Sequence, residues 1–302
     1  MPPPEGSIIK LSDGSKWVVK GCVHPEDGYV AVPRLVGEKK LKTYGEAMRV
    51  IRRYYPHYLT RVPEIGRDVP VVPLEDIIEV LTPFDTFTPP ETGLGRKACA
   101  LVEALRERCG LKCGIAGSLL GGYSSPDSDI DVVCMDSENA YTCLRALRQE
   151  GVLTPLSMDE FEVESREVAE GVGPSTLTAL ASSRITQGTY KGAKYTLKIL
   201  NCVRERPYLG PYLSIRYEEA VAILKGFDYR SPSIYPVELL RPATPYKEAV
   251  LLTHRVRFTE LVEGALISGR ALLHVRDGVI VVSFDVPGSE VRAYASHSLM
   301  NR

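Results

Sequence analysis

One stretch constrains this chain more than any other: Gly114-Ile-Ala-Gly-Ser-Leu-Leu-Gly-Gly-Tyr-Ser-Ser-Pro-Asp-Ser-Asp-Ile-Asp-Val-Val133. The apolar run Lys112 to Ala116 reads as a short strand that delivers the backbone to Gly117-Ser118, where a tight turn opens a helix. Glycine lets the backbone approach a ligand closely, and free N–H groups at a helix start attract phosphate. The Ser118 hydroxyl adds a donor. After ten intervening residues the chain returns as a strand beginning Asp129-Ile130-Asp131. Strand side chains alternate, so both carboxylates face one side and Ile130 the other. Two adjacent carboxylates repel unless protons or cations neutralise them. Magnesium or manganese, which prefer carboxylate and phosphate oxygens, suit the task. Cradle, acid pair and metal together are the parts required for in-line attack on an α-phosphate.

This Gly-Ser, ten-residue gap and Asp-x-Asp pattern resembles the DNA polymerase β-like nucleotidyltransferase superfamily, down to the lead-in Ser128-Asp129-Ile130-Asp131. The match is most specific over residues 113 to 135 and extends to about 201. Val19 to Pro25 and Gly188 to Gly192 are similar to segments of archaeal predicted nucleotidyltransferases. The resemblance implies an α/β (α+β) fold whose nucleotidyltransferase core contains a mixed sheet. It implies a metal-dependent enzyme moving a nucleoside monophosphate from a nucleoside triphosphate to a hydroxyl acceptor on RNA or protein. Asp129 and Asp131 would be catalytic and hold the metal. Gly117, Ser118, Ser128, Lys191 and Lys194 would bind the phosphates. Minimal members of the superfamily often pair with helical proteins, so such a partner is a further expectation.

The chain departs from the pattern in two places. Gly121-Gly122 stands where an arginine commonly precedes the second glycine. The strand expected to carry a third carboxylate, Lys194 to Leu200, contains no acid. Glu160, Glu162 and Glu164 belong to a predicted helix capped by Ser157. The alternative is therefore a catalytically degenerate fold that binds RNA or nucleotide. On the strand 194–200, Tyr195, Leu197 and Ile199 form the apolar face. Lys198 would then lie toward the carboxylates, pair with one of them and replace one metal.

Three segments are expected: a β-rich N-terminal segment with one helix and a Pro-rich connection over 1–92, the core over 93–201, and a β-rich domain over 202–302. In the first, strands are predicted at 7–11, 16–20 and 29–36 and a helix from Thr43 to Tyr54, with residues 61–92 as a connection containing a short helical stretch at 74–80. In the core, Ala98, Leu101, Val102 and Leu105 fit one face of a helix. Further helices are predicted at 138–149, 158–169 and 175–182. In the last, Asp277-Gly278 between alternating apolar runs predicts a type I′ hairpin. The flanking β segments could form a small barrel gripping nucleic acid, with Tyr208, Tyr212, Tyr217 and Tyr229 stacking on bases. Arg184 joins Lys191 and Lys194 as a cluster for phosphate or RNA.

With 44% apolar and 25% charged residues in 302, the chain can bury a full core, and its net charge of −1 gives no global bias toward nucleic acid or acidic membranes. No apolar run approaches the ~20 residues that span a bilayer. Seven scattered cysteines with no leader sequence read as buried thiols in a reducing cytoplasm. Few amides, many arginines and 22 prolines suit a protein kept hot.

Overall fold

Alternating apolar residues dominate the first third of the chain, and they build a sheet. The computed structural model describes residues 2–85, 93–157, 159–160, 184–246 and 248–286, and the backbone of 291–294. These fall into two compact units: Met1–Val62 with Arg67–Pro155 and Ile185–Leu200, and Pro63–Gly66 with Leu156–Arg184 and Asn201–Arg302.

In the first unit, an antiparallel sheet runs in the order Leu59–Val62, Arg67–Pro73, Gly28–Val36, Lys16–Val19, Ile8–Leu11, Ile77–Leu81. Its inner face buries Ile9, Leu11, Trp17, Val19, Ala31 and Val72 against Ile51 of the helix Tyr44–Tyr54. That helix starts where predicted: Thr43 Oγ1 accepts the Glu46 N–H at 3.2 Å, and the Glu46 carboxylate accepts the Thr43 N–H at 3.1 Å. The Pro-rich stretch read as a connection instead contributes strands 67–73 and 77–81. Pro70 and Pro73 cannot donate ladder hydrogen bonds, which disguised the first of these strands in the sequence.

A second sheet follows in the same unit, ordered Gln187–Tyr190, Ala193–Leu200, Ile130–Met135, Cys113–Ile115. The strand 130–135 runs parallel to 193–200 and antiparallel to 113–115. The helix Gly93–Cys109 buries Ala98, Leu101, Val102 and Leu105, the face its periodicity defined.

The second unit contains a closed five-stranded barrel. Ser214–Leu224 pairs with Ser233–Arg241, then Glu248–Thr253, Val279–Ser283 and Leu266–Arg276, which pairs back with Ser214–Leu224. Ala222, Tyr235, Leu251, Ile267, Leu273 and Val282 fill its interior. Asp277 and Gly278 take φ of 46° and 82°, the left-handed pair the hairpin required. Fully buried Asp228 accepts from Arg204 Nη1 at 2.7 Å and from the Ile234 N–H at 2.8 Å, which compensates its desolvation. Of the four tyrosines considered for base stacking, Tyr217 is the exposed one, with Arg270 over its ring at 5.6 Å. Tyr229 is buried, and Tyr212 donates to the Glu64 and Tyr208 carbonyls. Arg184 is also buried in this unit and donates to the Arg257 carbonyl. The Ser157–Glu160 capping bonds form, whereas the rest of the helix predicted to 169, and the one at 175–182, lie outside the described residues.

The expectation of an α/β chain organised on a nucleotidyltransferase core is therefore corrected. Among the described residues the chain is sheet-rich and is dominated by antiparallel sheets and the closed barrel. The physical reason is that the flanks form extensive sheets of their own, while the motif specified only its own turn and strand.

The cysteines also depart from expectation. Cys109 bridges to Cys143 and Cys113 to Cys134, Cys22 and Cys202 are disulfide-bonded too, and Cys99 is free. Cys113 and Cys134 sit opposite each other in the antiparallel register, with Cα atoms 4.0 Å apart. Nothing in their spacing along the chain showed that pairing. Bridges closing loops of 34 and 21 residues each contribute about 2–4 kcal/mol. Reduction with dithiothreitol is expected to lower the Tm by about 10 °C or more. An unchanged Tm with all thiols titratable would contradict this. Among the described residues, no helix is long and apolar enough to cross a membrane.

Candidate functional site

The Gly-Ser turn and the acid pair meet in the second sheet of the first unit. Ile115 pairs with Val132, and the Ala116 N–H donates to the Asp131 carbonyl at 2.9 Å. This locks the end of one strand to the start of the other. Gly117 then turns with φ of 59° into the short helix Gly117–Leu120. A Cβ on Gly117 would lie 2.7 Å from Asp131 Cγ and 2.9 Å from its Cβ. Glycine is therefore required twice here, by the left-handed backbone and by the carboxylate packed against it.

Ile130 is fully buried, which puts the acids on either side of it on the opposite face of the strand. Asp131 is partly buried, and its pKa is pushed up to about 7. Burial is the largest cause and the Asp129 charge the second, opposed by Lys198, Lys20 and Arg34. Asp129 keeps one side open to solvent, yet the protein mass around its carboxyl raises its pKa, against Lys194 and Arg34. Two acids held together at the cost of reluctant ionisation form a donor set that a hard divalent cation would relieve. Among the described residues, no group of three His, Cys, Asp or Glu side chains is arranged to hold a metal.

The remaining expected residues are placed as follows. Ser118 lies in the first turn of the short helix, where its carbonyl accepts the Tyr123 N–H at 3.0 Å. The Ser128 hydroxyl accepts the Ser125 N–H at 2.9 Å and so closes the turn before Asp129. Thr196 pairs with Asp131 across the parallel ladder, and Lys194, Thr196 and Lys198 share one face of their strand while Tyr195, Leu197 and Ile199 are buried. Lys194 lies near enough to Asp129 to lower its pKa. Lys191 is at the exposed tip of the hairpin, 5.3 Å above the Tyr190 ring. Lys198 faces the acids as expected but takes a different ion-pair partner, Glu5, a carboxylate only 1% exposed.

Four contributors come from outside the motif strands or were given no role by it. Lys20 follows the strand 16–19, donates its N–H to the Val30 carbonyl at 2.9 Å, and has its pKa lowered to about 7. Burial is the main cause, then Lys198 and Arg34, while Glu5 and Asp131 oppose it. Arg34 occupies a β-bulge: Lys16 pairs with Leu35 and Trp17 with Pro33, which leaves Arg34 without a partner on the strand 16–19, while its guanidinium donates to the Leu41 and Lys42 carbonyls at 3.2 and 2.8 Å. A bulge re-aims a side chain, and this guanidinium acts on both Asp129 and Asp131. Pro33 within an alternating strand was the one sequence signal for it. Tyr123 lies under the Lys16 and Lys40 ammonium groups, at 5.7 and 5.9 Å from its centroid. Those lysines also donate to the Gly121 carbonyl at 2.7 Å and to Ser125 Oγ at 3.0 Å, fastening the glycine loop to the N-terminal sheet. Glu5, the fourth, carried no signal in the sequence.

The arrangement joins a carboxylate pair, a glycine turn and several cations, which suits a polyphosphate held through a divalent ion. Comparison of the chain with protein-family models, curated proteins and solved structures finds no match, so the functional reading rests on this geometry.

Proposed function

We propose that the chain is a metal-dependent nucleotidyltransferase, moving a nucleoside monophosphate from a nucleoside triphosphate to a hydroxyl acceptor. The observation that carries this is the packing of the Asp131 carboxylate against Gly117, with Asp129 alongside. Asp129 and Asp131 would hold magnesium or manganese. The ion, when bound, supplies charge neutralisation for the triphosphate. The Ser118 hydroxyl and the backbone of the Gly117 turn would donate to phosphate oxygens. Lys194, beside Asp129, would pair with phosphate as a point charge, and Lys191 would reach it from the hairpin tip. The acceptor oxygen bonds to the α-phosphorus as the bond to the β-phosphate oxygen breaks. Pyrophosphate leaves with the electron pair, and the acceptor proton passes to water.

Incubation with labelled triphosphates, magnesium and RNA or protein acceptors is expected to give label in the acceptor. Absence of incorporation with every acceptor, together with no nucleotide binding by calorimetry, would sink the proposal. The second reading, a nucleotide- or RNA-binding module without turnover, is favoured by the acid-free strand 194–200. Nucleotide binding without incorporation would select it. The disulfides suit an oxidising compartment, or the interior of a hyperthermophile, better than the reducing cytoplasm expected from the cysteine pattern.

A further inference from the structure

The lysine expected beside the carboxylate pair is held by a partner that the sequence did not announce. Lys198 stands on the strand parallel to the acid strand, on the face it shares with Thr196, and Thr196 is the register partner of Asp131. Its ammonium is held by Glu5, which lies 193 residues earlier in the chain. Glu5 is a carboxylate only 1% exposed, so the ion pair ties the Lys198 ammonium to a buried, immobile partner. Lys198 also lowers the Asp131 pKa, which puts its charge within electrostatic reach of the acid. Lys20, partly buried, responds to the charges of Lys198, Glu5 and Asp131 alike, so the four groups form one neighbourhood.

We propose that Glu5 and Lys198 form a positioning pair that fixes one positive charge beside Asp131, so that this site takes one divalent cation where a three-carboxylate site would take two. The inference rests on the metal-dependent reading above and deepens it. Geometry leads to it: a two-carboxylate site offers few oxygens, and Mg²⁺-type ions are commonly held by one or two carboxylates with the substrate phosphates supplying the rest. A second cation would have to sit close to an ammonium that a buried partner prevents from swinging away. Lys198 would thus supply, as part of the fold, a charge that other sites import as metal. Asp131 keeps its role as ligand, and Lys198 touches neither substrate nor reacting atoms.

Manganese titration of the full chain by electron paramagnetic resonance, which counts bound ions without requiring turnover, tests the proposal. The wild type is expected to bind one Mn²⁺ per chain. The neutral replacement Glu5→Gln/Lys198→Met removes both charges together and leaves no buried ion unpaired. It is expected to bind Mn²⁺ about threefold more tightly, because the ammonium that acts on Asp131 is gone and the simultaneous loss of the Glu5 carboxylate offsets this only in part. Lys198→Arg, which keeps the charge, should retain the wild-type affinity. Two ions per wild-type chain, or one ion with unchanged affinity in the neutral variant, would overturn this inference and leave the nucleotidyl-transfer reading standing. No Mn²⁺ bound by the wild type, with or without triphosphate, would overturn both. If the neutral variant does not fold, the wild-type stoichiometry still decides, since two ions refute the proposal.

Discussion

Replacing Asp131 with asparagine is expected to cut nucleotidyl transfer by about a thousandfold, on the order of 4 kcal/mol of transition-state stabilisation. Asparagine keeps the shape that packs on Gly117 but removes the charge that a divalent ion needs. The same substitution should stabilise the metal-free protein, and the pH dependence shows why. The folded-state pKa of Asp131 is raised from its ordinary 3.8 to about 7, mainly by burial and secondarily by Asp129. Below pH 3.8 the group is protonated whether the chain is folded or not, so it imposes no electrostatic cost. Between pH 3.8 and about 7 the unfolded chain loses the proton more readily than the folded one, and stability falls as pH rises. Above about 7 the full cost is present. The asparagine variant should therefore melt higher than wild type at about pH 8 and about equally near pH 4, without metal. Added manganese should narrow the gap at the higher pH by binding wild type and not the variant. A variant that retains turnover, or that melts lower than wild type at the higher pH, would remove Asp131 from the role assigned to it.

Gly117→Ala is expected to be strongly destabilising, with an effect that reaches the acid pair directly. The backbone there has φ of 59°, where a side chain costs about 1 kcal/mol. The added methyl would also meet Asp131 Cγ and Cβ at 2.7 and 2.9 Å. Rotation of the carboxylate alone does not relieve a clash with Cβ, so the turn or the strand must shift. Together the two effects should cost about 3 kcal/mol of stability in chemical denaturation. Metal affinity should fall by at least about tenfold, because the displaced carboxylate no longer aligns with Asp129. In a double-mutant cycle, Asp131→Ala should recover part of the stability lost in Gly117→Ala, since it removes atoms the methyl strikes. Simple additivity of the two changes would show that the packing against Asp131 is not the source of the loss.

Several local elements are legible in the order of residues alone. The Thr43 cap, the apolar face of helix 93–109, the Asp277-Gly278 turn and the buried Tyr195-Leu197-Ile199 face each depend on neighbours a few residues away. The same holds for Gly117 and Asp131, whose encounter needs one short return of the chain. By contrast, strand 67–73 is hidden because proline breaks the alternating pattern without preventing an extended backbone, and strand 77–81, which has no proline, overlaps the stretch 74–80 whose apolar spacing predicts a helix. The overall class differs from the one expected because pairing across long separations, such as strand 214–224 closing on 266–276, carries no local signature.

The sequence by itself determined the turn at Gly117, the acid pair at Asp129 and Asp131, and which face of strand 193–200 would be buried. Local sterics and side-chain alternation suffice for these. The tertiary structure alone decided what surrounds the acids. Glu5 reaches Lys198 across 193 residues, Arg34 is turned by a bulge, and Lys20 lies where its charge meets those of Asp131, Lys198 and Arg34. It also decided which cysteines bridge, because Cys113 meets Cys134 only once their strands are in register. Charge acts through space and a disulfide needs Cα atoms within about 7 Å, and neither distance is written in the order of residues along a chain.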